Sequence, residues 1–105
     1  MKTYQVIFSP EAEEQLASLY RYLAFEASPI IADRYIDAVV SYCEGLSIFP
    51  HRGNYRDEIR PDLRITNYKK RTTMAFEVGE DFISIIGIFH GGRDFETILQ
   101  SDNAD

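Results

Sequence analysis

A chain of 105 residues with 45% hydrophobic side chains and a net charge of −6 has enough material for one core and no more. The composition excludes a disordered chain, and no apolar run approaches the roughly 20 residues that a bilayer-spanning helix needs. The acidic balance disfavours extended contact with nucleic acid, because phosphate neutralisation supplies most of the affinity of such binders; a protein partner is favoured.

Tyr4-Gln5-Val6-Ile7-Phe8 is rich in β-formers and reads as a strand. Met1-Lys2-Thr3-Tyr4 leads straight into it without the apolar core of a signal peptide, so cytoplasmic residence is expected. Ser9-Pro10-Glu11 supplies a hydroxyl cap, a proline at the first helical position and acid in the first turn. Ala12, Leu16, Leu19 and Leu23 then fall on one helical face. Ser28-Pro29 repeats the start signal. The helix that follows carries Ala32, Ile36, Val39, Cys43 and Leu46 on one stripe, with Tyr35, Tyr42 and Phe49 beside it, and Pro50 is expected to end it. So short a link makes the two helices an antiparallel hairpin.

Residues 50–62, with Pro50, Gly53, Asn54 and Pro61, read as a loop. Arg52, Arg56, Arg60 and Arg64 recur every four residues, but the flanking glycine and prolines argue against a helix there. Leu63 to Tyr68 is the next strand, with a turn around Asn67-Tyr68-Lys69 leading to a strand over Arg71–Val78. Gly79-Glu80-Asp81 is a tight turn. Phe82–Phe89 is apolar on both faces, as a central strand covered on both sides would be. Arg93 to Gln100 forms a short helix or an extended arm, and 101–105 are expected to fray. The order predicts a single α+β domain over residues 1–105: an N-terminal strand, a helical hairpin packed on a mainly antiparallel sheet, and a short C-terminal helix or arm.

Charge is unevenly spread. Residues 1–51 hold three Lys/Arg against seven Asp/Glu, residues 52–71 hold seven against three, and residues 72–105 hold one against seven. The basic middle is a local patch on an acidic protein. Cys43 lies inside an apolar helical stripe and reads as a packed thiol. With His51 and His90 as the only histidines, none at metal-ligand spacing, neither a metal nor another cofactor is expected.

Five segments in order carry a resemblance: Phe8-Ser9-Pro10-Glu11-Ala12-Glu13, Phe49-Pro50-His51-Arg52-Gly53, Ile59-Arg60-Pro61-Asp62-Leu63-Arg64, Tyr68-Lys69-Lys70-Arg71 and His90-Gly91-Gly92-Arg93-Asp94-Phe95-Glu96. Together they resemble the ParE branch of the RelE/ParE toxin family, from about Tyr4 to about Leu99. The resemblance implies a toxin of a type II toxin–antitoxin pair that inhibits DNA gyrase and is held inactive by a ParD-like antitoxin; that antitoxin is expected to bind across the helical hairpin and the adjacent sheet edge. Many relatives are instead ribosome-dependent ribonucleases of the RelE type. Such chemistry needs a proton acceptor near the attacking hydroxyl and cations near the phosphate. Here the candidates are His90, with Arg64, Arg71 and Arg93 on the phosphate. The C-terminal tyrosine expected in many of the ribonucleases is missing, since Asp94-Phe95-Glu96 follows Arg93. A non-toxic binding relic is the third possibility.

For a binding protein the candidate contacts are Arg60, Arg64, Lys70, Arg71 and Arg93, with Tyr20, Tyr35 and Tyr42 on the helices. Arg60, Arg64 and Arg93 also have a structural reading, each pairing with a carboxylate such as Asp57, Asp62 or Asp94. The tyrosines, Tyr22 among them, serve either core packing or a groove for a partner's amphipathic segment.

Overall fold

In the computed structural model, which describes residues 3–91 and 95–102, each Ser-Pro pair opens a helix. Ser9 Oγ accepts the Ala12 N–H at 3.0 Å and Ser28 Oγ accepts the Ile31 N–H at 3.2 Å, which satisfies amide groups that a helix start leaves without partners. The elements are β1 (Gln5–Phe8), α1 (Pro10–Glu26), α2 (Pro29–Glu44), β2 (Asn54–Tyr55), β3 (Arg64–Tyr68), β4 (Thr72–Val78), β5 (Phe82–His90) and α3 (Phe95–Asp102). The strands form one sheet in the order β1-β5-β4-β3-β2. Every pairing is antiparallel except β1 with β5.

The sheet carries apolar residues on both faces. On one side Ala12, Val39, Cys43 and Leu46 of the hairpin region pack with Met74, Phe76, Ile83, Ile85 and Ile88. On the other, Ile65, Ala75 and Phe89 are covered by Ile59 and Leu63 from the long loop and by Leu99 of α3. A β-bulge reconciles the two. The register passes from Phe76↔Ile85 to Ala75↔Gly87, so Ile86 is an extra residue. Without it, Ile88 and His90 would fall on the face opposite Ile83 and Ile85, since side chains alternate along a strand. With it, Ile83, Ile85, Ile88 and His90 all meet the helices.

Four features differ from the sequence reading. α2 stops at Glu44 and passes into a 3-10 turn over Gly45–Ser47, because Gly45 favours leaving the helix; Ile48 and Phe49 are thereby turned outward, 49% and 59% exposed. The loop hides the short strand β2, whose two residues are too few to show a period. The turn after β3 is centred on Lys69 and Lys70, with Arg71 N–H donating to Tyr68 C=O at 3.1 Å. Both lysines have positive φ (53° and 59°), which matches the hairpin turn whose twist suits flanking strands. The arginines at four-residue spacing do not share a helix, as Gly53 and Pro61 implied. α3 extends past Gln100 to Asp102; residues 103–105 lie outside the described residues.

Candidate partner-binding surface

His90 ends β5 on the helix side of the sheet, and a chain of side chains holds it there. Tyr35 of α2 and Thr72 of β4 join by their hydroxyl oxygens at 2.6 Å, and Thr72 Oγ1 lies 2.9 Å from His90 Nδ1. The Tyr35 and His90 rings meet edge-on, 5.6 Å between centroids. Thr72 is fully buried and has one proton to give. When it donates to His90, Tyr35 donates to Thr72 and every proton of the chain is used; in the reverse order the Tyr35 O–H is left pointing out of the chain. In either order the Thr72 hydroxyl links the Tyr35 hydroxyl to Nδ1 of the His90 ring. Burial, and then the nearby Arg71 guanidinium, lower the His90 pKa below the usual value for an imidazole.

This arrangement fixes the His90 ring through Nδ1. The ring lines a cleft of about 430 Å³ together with Glu14, Gln15, Ser18, Leu19 and Tyr22 of α1, and Ile88 and Gly91. Tyr22 is 55% exposed there. Beyond it, Phe25, Ile30 and Ile31 at the hairpin tip are 87%, 63% and 52% exposed.

The basic residues divide into separate environments. Lys70 and Arg71 are exposed at the β3–β4 turn, and Arg71 lies near His90. Arg64 is only 8% exposed. It donates to the His51 carbonyl at 3.0 Å and lies 4.0 Å over the Tyr55 ring. Arg64 pairs with Phe76, whereas His90 pairs with Thr72 and through it with Tyr68. Four residues along a strand and two strand spacings put Arg64 and His90 roughly 16 Å apart. Arg60 is half-buried beside a hollow shared with Ser9, Glu11 and Ile86. Arg93 and Asp94 lie outside the described residues.

The expected carboxylate pairings are corrected where they can be seen. Asp57 accepts the backbone N–H of Asp62 at 2.9 Å, stabilising a residue with φ of 63°, and Arg64 uses a carbonyl and an aromatic face instead. The loop is fastened to α3 by Arg56, which pairs with Glu58 and, at 3.2 Å, with Glu96. Nothing in the four-residue arginine spacing distinguishes Arg56 from its neighbours.

The tyrosines divide similarly. Tyr35 and Tyr42 are half-buried packing residues: the Tyr42 hydroxyl is 3.1 Å from Thr66 Oγ1, and both rings meet Tyr68 edge-on. Tyr20 is half-buried on α1, and among these helix tyrosines the exposed one is Tyr22. Arg52 lies 5.0 Å over Tyr42 and 5.5 Å over Phe49, a contact the sequence does not reveal. Cys43 is fully buried, and burial pushes its thiol pKa up to about 12, so it is a packing residue rather than a nucleophile. Among the described residues no group of three His, Cys, Asp or Glu is placed to hold a metal ion, and no helix is long and apolar enough to cross a membrane.

A strand, a helical hairpin and an antiparallel sheet closed by a parallel N-terminal strand define an α+β fold. A chain of the chromosomal ParDE toxin–antitoxin system of P. aeruginosa superimposes with a TM-score of 0.74 at 18% identity, over 85% of this chain and 97% of that one. A chain of the toxin–antitoxin complex RelBE2 from Mycobacterium tuberculosis gives 0.65 at 19% identity, over 89% and 97%. A search of curated proteins finds no significant match. The family described as ParE toxin of type II toxin-antitoxin system, parDE, matches residues 6–95. The chain belongs to that family: it is a ParE-type toxin.

Proposed function

We propose that this toxin acts by binding and breaks no bond itself, that it inhibits DNA gyrase, and that a ParD-like antitoxin holds it inactive by direct contact in the cytoplasm. The observation that carries this reading is the separation of Arg64 from His90, two groups that a nuclease would have to gather. His90 is held through Nδ1 by Thr72, and Arg64 is tied to His51 and Tyr55 at the far end of the sheet. Phosphoryl chemistry by a general base needs the acceptor and the cations within hydrogen-bond reach of one substrate. A RelE-type ribonuclease retains one point in its favour, the proximity of Arg71 to His90. The exposed Tyr22, Phe25, Ile30 and Ile31 suit a protein partner, since apolar side chains grouped on a surface mark such sites.

Induced expression in bacteria tests the reading. Growth should stop with chromosomal DNA breaks, and co-expression of the protein encoded by the adjacent reading frame should restore it. Normal growth at high expression would favour a non-toxic relic, and arrest with intact chromosomes would remove gyrase as the target.

A further inference from the structure

We propose that the part of β5 beyond β1 receives an extended segment of the antitoxin as an added strand, seated in the cleft beside α1 and displacing Gln15 from Ile88. The inference rests on the toxin–antitoxin reading and adds the place and the backbone chemistry of the contact. β1 pairs with β5 only from Phe82 to Ile85. Ser9 then closes the ladder, its N–H donating to Ile85 C=O at 2.9 Å, and the chain turns into α1. From Ile88 onward no strand among the described residues lies on that side of β5.

The direction of the exposed groups follows from the ladder. Gly91 N–H donates inward to Arg71 C=O at 2.8 Å. Backbone groups of successive strand residues point to opposite edges, so Ile88 and His90 turn theirs outward, toward α1. Ile88 N–H is met there by Gln15 Oε1 at 2.6 Å. A side-chain amide oxygen thus stands where the carbonyl of a neighbouring strand would stand. Ile88 C=O and His90 N–H have no such substitute among the described residues. Two residues on a strand span about 6.8 Å, and a donor, an acceptor and a second donor at that spacing match an extended backbone. The walls suit its side chains: Leu19, Tyr22 and Ile88 are apolar, and Ser18, Glu14 and His90 are polar. Addition of a strand at a free edge draws affinity from main-chain hydrogen bonds and specificity from alternate side-chain pockets. Phe25 follows Tyr22 by one helical turn, so the exposed apolar tip continues the cleft.

The test uses the complex with the protein encoded by the adjacent reading frame, isolated after co-expression, and the toxin refolded alone from it. Amide hydrogen exchange is measured residue by residue. The His90 amide should be protected at least 100-fold more in the complex than in the free toxin. Ser18→Trp, at an exposed position, should fill the cleft and weaken the complex at least tenfold with Tm unchanged. Gln15→Ala, which removes the substitute carbonyl, should leave affinity equal or higher. A stable complex in which the His90 amide exchanges as in the free toxin, and which tolerates Ser18→Trp, overturns the added strand while leaving the antitoxin reading intact. Failure of the two proteins to associate overturns both. Concentration-dependent protection in the toxin alone would assign the edge to a second copy of this chain instead.

Discussion

Thr72 Oγ1 lies 2.9 Å from His90 Nδ1, and this one contact ties the imidazole to Tyr35 through a shared hydroxyl. Removing the hydroxyl should show its structural worth. Thr72→Val keeps the shape but leaves Tyr35 and His90 without their shared partner, and a buried polar group left unpaired costs about 1–3 kcal/mol. Tyr35→Phe should cost about 1 kcal/mol. The double variant should cost less than the two singles added together, because they remove the same network. Urea unfolding of the four proteins measures this; strict additivity would mean the chain of hydroxyls does not act as a unit.

The low His90 pKa has a stability consequence whose sign is fixed. Burial and Arg71 disfavour the protonated ring in the folded state, so below the ordinary imidazole value the unfolded chain binds more protons. Stability is therefore lost as pH falls through about 6.5. His90→Gln should flatten that part of the curve, and Arg71→Ala should raise the His90 pKa, both read by unfolding midpoints and by NMR titration. An unchanged His90 titration in the Arg71 variant would show that burial alone sets it.

Two lysines with positive φ at the β3–β4 turn hold a conformation that costs a non-glycine residue roughly 1–2 kcal/mol. Replacing Lys69-Lys70 with Asn-Gly, the pair that this turn prefers, should stabilise the fold by about 1–2 kcal/mol. The gain should appear as a higher Tm. If growth inhibition falls while Tm rises, the lysines also contact the target.

Arg64 is a structural arginine in this account. Arg64→Ala removes the hydrogen bond to His51 and the stacking on Tyr55, and should destabilise the fold by about 2 kcal/mol. Arg64→Lys should recover less than half of that, since an ammonium cannot reproduce a planar group bonding in its plane and stacking on its face. Full stability in the alanine variant would free Arg64 for a partner.

Much of this architecture is legible in the residues, and what escapes has physical reasons. The Ser-Pro caps and the stripe from Ala32 to Leu46 declare themselves because helix chemistry is local. The apolar run of β5 announces cover on both faces for the same reason. The bulge at Ile86 does not, and it alone decides that His90 faces the helices. β2 has two residues and no period, while Ile59 and Leu63 look like loop positions until the sheet supplies a face for them. Arg56 and Arg64 are indistinguishable by spacing. Their roles depend on Glu96 and Tyr55, which are brought close by tertiary folding.

The central claim is that the toxin docks on its target and does no cutting of its own. Purified, antitoxin-free protein should be given in parallel to DNA gyrase with relaxed plasmid and to ribosomes translating a labelled message. The account predicts stalled supercoiling and an intact message, with His90→Ala leaving the stall in place. A message cut by the wild type and spared by His90→Ala, with supercoiling unimpaired, would contradict it.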